Sequence, residues 1–222
     1  MLTIFIAVIS LMQISAQDWP NLERYRAQNE ALSPLKPGEE RVVFMGNSIT
    51  EGWKNKRPAF FEDNPFVCRG ISGQTTPQML LRFRQDVIEL GPKVVVILAG
   101  TNDIAGNTGP SSLDMMMDNI VSMSELAVQN GINVVLCSVL PAYDFPWKPG
   151  QEPAPKVVKL NNMLKSYADD NDLVYVDYHT SMKDDKDGLK KNLGGDGVHP
   201  NEEGYKIMEM LVMPGIKKAL TK

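Results

Sequence analysis

Apolar runs at 42–45, 66–71, 94–99, 134–140 and 173–177 alternate with longer segments of helical spacing. Val94-Val95-Val96-Ile97-Leu98 has no alternation of polar and apolar positions, the pattern of a strand covered on both faces. Over 78–90 the apolar positions Met79, Leu80, Phe83, Val87 and Leu90 fall on one helical face. Over 113–128 Leu113, Met116, Met117, Ile120, Met123 and Ala127 do the same, as do Val157, Leu160, Leu164 and Ala168 over 157–168. The last segment, 203–220, carries Ile207, Met208 and Leu211. Gly91-Pro92 and Asn130-Gly131 stop two of these helices just before strands. Strand and helix in regular alternation predict an α/β fold, a parallel sheet with helices on both faces.

The first forty residues fall outside this pattern. Leu2 to Met12 is apolar and Ile14-Ser15-Ala16 follows, which resembles a secretory signal peptide over 1–16 cleaved after Ala16, although its start carries no Lys or Arg. We therefore expect export, to a periplasmic or extracellular location, and no stable membrane insertion once that segment is removed. Residues 17–40 are polar with scattered Pro and Gly; Leu22, Tyr25 and Arg26 suit one short helix before Ser33-Pro34 ends it. This stretch reads as a surface lead-in to the main domain, 41–222. At 222 residues the chain suits a single α/β domain, and its net charge of −4 without a basic run argues against nucleic acid as a partner. The only cysteines, Cys68 and Cys137, both lie in predicted strands; they either form one disulfide or pack as buried thiols. No Cys/His cluster has zinc spacing, and Asp184-Asp185-Lys186-Asp187-Gly188 lacks the ligand spacing of a calcium loop, so neither metal nor cofactor is expected.

Chemistry gathers where strands end. Gly46-Asn47-Ser48 follows the first, Gly70-Ile71-Ser72-Gly73-Gln74-Thr75 the second and Gly100-Thr101-Asn102-Asp103 the third. Parallel strands direct these loops to one edge, where open α/β sheets bind ligands. Together they supply a hydroxyl, an approachable backbone amide and a neutral side-chain amide, the parts of a nucleophile with an oxyanion hole. A base must come from one of two histidines. His199 lies three residues after Asp196, a spacing that lets the carboxylate orient one ring nitrogen while the other faces Ser48. His179 has no comparable partner and reads as structural. Each piece alone is common in turns and helix caps; their joint occurrence carries the reading.

Gly46-Asn47-Ser48, Gly73, Gly100-Thr101-Asn102-Asp103 and Asp196-x-x-His199 resemble, in order, the four blocks of the SGNH or GDSL-type hydrolases. The resemblance implies a flavodoxin-like three-layer α/β/α sandwich on a five-stranded parallel sheet, and a serine esterase without metal. It implies Ser48 as nucleophile, His199 as base and Asp196 as its orienter, with the Ser48 amide, the Gly73 amide and the Asn102 side chain as oxyanion hole. Asn47 stands where the family more often has Asp, a change expected to tune the electrostatics and to leave catalysis in place. The Asn-Ser-Ile-Thr-Glu-Gly-Trp version is similar to a bacterial branch containing platelet-activating-factor acetylhydrolases and sugar acetylesterases. Tyr143, Phe145 and Trp147, in the loop after the fourth strand, read equally as a sugar platform or as a self-packed loop, and Trp53 as a pocket wall or, better, as packing beneath the first helix. The expected substrate is a short acyl ester, acetyl first, on a glycan. A lipid or generic ester acylhydrolase is the alternative, and a non-catalytic glycan-binding module on the same fold is a weaker one. A nucleotide-binding domain is disfavoured because no glycine-rich phosphate loop follows the first strand.

Overall fold

The computed structural model describes residues 18–222; the signal-peptide reading of 1–16 lies outside them. Its elements run α1 (Arg26–Glu30), β1 (Val42–Gly46), α2 (Ser48–Lys56), α3 (Pro58–Glu62), β2 (Phe66–Gly70), α4 (Thr76–Asp86), β3 (Val94–Leu98), α5 (Thr101–Ile104), α6 (Leu113–Gln129), β4 (Asn133–Cys137), α7 (Pro153–Asp170), β5 (Val174–Val176), α8 (His179–Met182) and α9 (Glu202–Leu220). The five strands pair in parallel in the order β2-β1-β3-β4-β5, the flavodoxin-like order. All five predicted strands are present.

Successive residues of each strand feed opposite cores. Val43, Met45, Val95 and Ile97 pack with Phe83 of α4, Ile120 of α6 and Leu160 of α7. Val42, Phe44, Val94 and Val96 pack with Trp53 of α2, Phe61 of α3 and Met208 and Val212 of α9. Two apolar faces on one sheet explain why β1 and β3 read as uninterrupted apolar runs: every residue in both is buried. The last helix departs from its predicted face. Tyr205, Met208, Val212, Ile216 and Ala219 are buried, whereas Ile207 and Leu211 lie at the margin.

Cys68 and Cys137 lie on β2 and β4 with β1 and β3 between them. Three strand spacings of about 4.8 Å separate them by roughly 14 Å. A disulfide needs Cα atoms within about 7 Å, so both are free thiols.

Chain direction along the sheet reverses between β1 and β3, which are neighbours although β2 intervenes in sequence. The loops after these strands splay apart there and leave a crevice at the carboxyl edge. Ser48 follows β1 and Asn102 follows β3, so the topology sets them on the two sides of that crevice. Among the described residues no helix is long and apolar enough to cross a membrane.

Candidate active site

Ser48 is the first residue of α2, and the Asn47 side chain caps that helix by accepting from the Ile49 amide at 3.0 Å. The hydroxyl therefore sits at a helix N-terminus, where unpaired amides and the aligned peptide dipoles favour negative charge. The cap needs only an oxygen acceptor, which Asn supplies as well as Asp. The strand-to-helix turn is tight. Gly70 on neighbouring β2 lies so close to α2 that a Cβ there would strike the Glu51 backbone nitrogen.

The His199 ring reaches the hydroxyl from the loop before α9. Its Nε2 lies 2.9 Å from Ser48 Oγ and its Nδ1 lies 2.7 Å from Asp196 Oδ2. The other Asp196 oxygen accepts from the Val198 and His199 amides at 2.9 and 2.7 Å, so the carboxylate is fixed by the same short loop that carries the histidine. Burial opposes the Asp196 charge, but hydrogen bonds from the His199 amide and ring and from the Val198 amide outweigh it and hold its pKa below the ordinary aspartate value. A carboxylate on Nδ1 leaves Nε2 free to accept the serine proton.

The loops after β2 and β3 complete this edge. Gly73 takes a left-handed conformation, φ +78°, with open space where a Cβ would stand, so glycine is required by the backbone and not by crowding. Asn102, buried, donates one amide hydrogen to the Gln74 carbonyl at 2.9 Å. A primary amide carries two such hydrogens, so the other remains to be offered to a ligand. Asp103 accepts from the Thr76 amide and hydroxyl at the start of α4, which locks the β3 loop to the β2 loop. Burial raises the Asp103 pKa, and the Thr76 hydrogen bonds partly offset that rise. The roles of Gln74, Thr76 and Asp103 escaped the sequence reading; a buried Gln or Thr in a loop or at a helix start has no periodic signature.

The aromatic loop after β4 divides between its two expected roles. Phe145 is fully buried and stacks on Trp147 with ring centroids 5.1 Å apart. Trp147 lies 5.9 Å from the His199 ring and stays 44% exposed, while Tyr143 is 63% exposed. Phe145 thus supports Trp147 from beneath, whereas Trp147 and Tyr143 keep exposed faces. The loop is held by Asp144, which accepts from the Phe145 and Gly150 amides, and by Lys148, which donates to the Gly106 carbonyl. Beside it opens a cleft of about 510 Å³ bounded by Tyr143, Pro146, Leu189, Lys191 and Asp196.

Trp53 does not line this site. It is 1% exposed, stacked between Phe60 and Tyr205, with its indole N–H donated to Glu209. It fills the core beneath α2, and the pocket-wall expectation for it is corrected. His179 is buried, its amide donating to Ser138 Oγ, and burial lowers its pKa. Asp184 uses its carboxylate on the Lys186 and Gly188 amides, as a turn does. Among the described residues no three His, Cys, Asp or Glu side chains converge as a metal site requires.

The GDSL-like lipase/acylhydrolase family profile matches residues 44–207. A crystal structure from Bacteroides fragilis NCTC 9343, assigned as an acylhydrolase, superposes with a TM-score of 0.90 at 51% identity, covering 92% of this chain and 99% of that one. A GDSL-like lipase from Bacteroides thetaiotaomicron VPI-5482 gives 0.88 at 50% identity, over 90% and 98% of the two chains. The acetylxylan esterase of Xylanibacter ruminicola is 28% identical over 214 residues, 80% of this chain and 43% of that protein. The chain spans about half the length of the curated relatives it matches, the other being a Bacillus subtilis lipoprotein of which it covers 50%.

Proposed function

The chain belongs to the GDSL-like lipase/acylhydrolase family of carboxylic ester hydrolases, and on that premise we propose that it removes short acyl groups, acetyl first, from a carbohydrate through an acyl-enzyme on Ser48. The observation that carries this reading is the unbroken line Ser48 Oγ, His199 Nε2, His199 Nδ1, Asp196 Oδ2, with contacts of 2.9 and 2.7 Å.

In the proposed reaction His199 takes the Ser48 proton as Oγ attacks the ester carbonyl. Negative charge grows on the carbonyl oxygen and is met by the Ser48 amide, the Gly73 amide and the free Asn102 amide hydrogen. His199 then returns the proton to the departing sugar hydroxyl. A water activated by the same ring cleaves the acyl-serine and releases acetate. Asp196 stabilises the imidazolium in both halves.

Three observations favour a carbohydrate acceptor. Trp147 presents aromatic surface beside the base and Tyr143 presents it at the adjoining cleft, and flat aromatic faces suit the apolar face of a sugar ring. The cleft beyond them is bordered by Lys191 and Asp196 as well as by apolar residues, a mixture suited to hydroxyl-rich ligands. The acetylxylan esterase relative points the same way. Export belongs to this reading, since an acylated plant or cell-surface glycan is met outside the cytoplasm.

The test compares aryl acetate with aryl octanoate and measures acetate released from acetylated xylo-oligosaccharides, for the wild type and for Ser48→Ala. The expected outcome is a higher kcat/KM on acetate, acetate release from the oligosaccharide, and loss of both in Ser48→Ala. Preference for octanoate assigns a lipid acylhydrolase instead. Binding of the oligosaccharide without turnover of any ester assigns a glycan-binding module.

A further inference from the structure

The most buried cation in the described molecule takes no part in the chemistry above. Arg82, on α4, has no exposed side-chain surface, and neither has its ion-pair partner Asp86, 3.0 Å away. Three more of the five Arg82 N–H groups are spent on three other segments. Nη2 donates to the Gly46 carbonyl at 3.1 Å and to the Arg69 carbonyl at 2.8 Å, and Nε donates to the Gln74 side-chain oxygen at 2.6 Å.

Each acceptor leads to the site. The Gly46 carbonyl belongs to the peptide that enters Asn47 and Ser48. The Arg69 carbonyl precedes Gly70, on which α2 packs. Gln74 follows Gly73, and its own carbonyl receives the Asn102 amide at 2.9 Å. One planar guanidinium therefore fixes, at the same time, the turn into the nucleophile, the strand end beneath it and the loop that holds both remaining donors. Lysine has the charge but not the fork of five N–H groups needed to reach divergent acceptors. Stability alone accounts poorly for such a group, because replacing a buried ion pair by apolar residues of similar volume is often neutral or stabilising.

We propose that Arg82 is a positioning residue for this esterase site, holding the Ser48 turn and the Gly73 and Asn102 donors in mutual register. The proposal rests on the Ser48 reading above. Its signature is loss of turnover without loss of substrate binding or of fold. A displacement of about 1 Å in reacting groups costs on the order of 10²-fold in rate.

Two variants test it. Arg82→Met combined with Asp86→Leu removes both charges of the pair together, with Arg69 still held by the Asn29 side chain and the Cys68 carbonyl. Arg82→Lys keeps the charge and loses the fork. For each, kcat and KM on an aryl acetate are measured beside the melting temperature, with Ser48→Ala as reference. The expected result is a folded protein whose kcat falls by roughly 10- to 100-fold while KM stays within about threefold. Wild-type kcat in a folded variant, or a rise in KM at unchanged kcat, overturns the proposal. If the double variant fails to fold, Arg82→Lys decides by the same criteria; failure of both to fold assigns Arg82 to the core alone and overturns it too. Wild-type turnover in Ser48→Ala would instead sink the serine reading beneath it, so the two failures are distinguishable.

Discussion

Asn102 gives one amide hydrogen to the Gln74 carbonyl and has one left for a developing oxyanion. Asn102→Ala should therefore lower kcat by about 10²–10³, some 3–4 kcal/mol, with KM little changed, as steady-state kinetics on an aryl acetate will report. Asp196 acts through His199, and Asp196→Asn should cost on the order of 10⁴ in kcat by leaving the ring in the wrong tautomer. The candidate residues were legible in the sequence because each sits in a short local signature: a serine just past a strand, an Asn two residues past a glycine, an Asp three residues before a His. Arg82 and Gln74 were not. Apart from Asp86 and each other, their partners are main-chain groups of other segments, such as the Gly46 and Arg69 carbonyls and the Pro20 carbonyl that accepts from Gln74, and main-chain acceptors leave no mark in residue identity.

Among the elements, β1 to β5 and the long helices α4, α6, α7 and α9 were visible because burial on one or both faces imposes a period. The short helices α3, α5 and α8 were not, since four or five residues complete barely one turn. Nor was the start of α2 at Ser48, which gives the hydroxyl its place at a helix N-terminus. The loop between β4 and α7 joins a buried support, Phe145, to an exposed face, Trp147, beside His199. Trp147→Ala should raise KM for an acetylated oligosaccharide severalfold and change kinetics on a small aryl acetate far less. Equal effects on both substrates would assign Trp147 to the loop's own packing.

Across the molecule, the lead-in segment belongs to the architecture of the catalytic edge. Asn29 of α1 donates to Asp86 and accepts from Arg69, Tyr25 donates to the Gly70 carbonyl, and Gln74 and Gln78 donate to the Pro20 and Trp19 carbonyls. The surface-segment reading missed this because the segment engages through polar groups whose partners lie forty or more positions away. Titration should also act on the whole molecule. Burial depresses the His179 pKa, so the unfolded chain binds more protons and stability should decline as pH falls below about 6.5. Asp144, held by the Gly150 and Phe145 amides, and Asp184, held by the Lys186 and Gly188 amides, have lowered values. Their contribution is present above the ordinary aspartate range and should be lost below about pH 4. Melting temperature against pH should thus fall in two steps, and His179→Gln should remove the first. The central claim is that the acyl group passes through Ser48. Mass spectrometry of protein quenched during turnover of an aryl acetate tests it most directly: an acetyl group on the peptide carrying Ser48, absent in Ser48→Ala, is the predicted result, and undiminished turnover in Ser48→Ala with that peptide never modified in the wild type would contradict it.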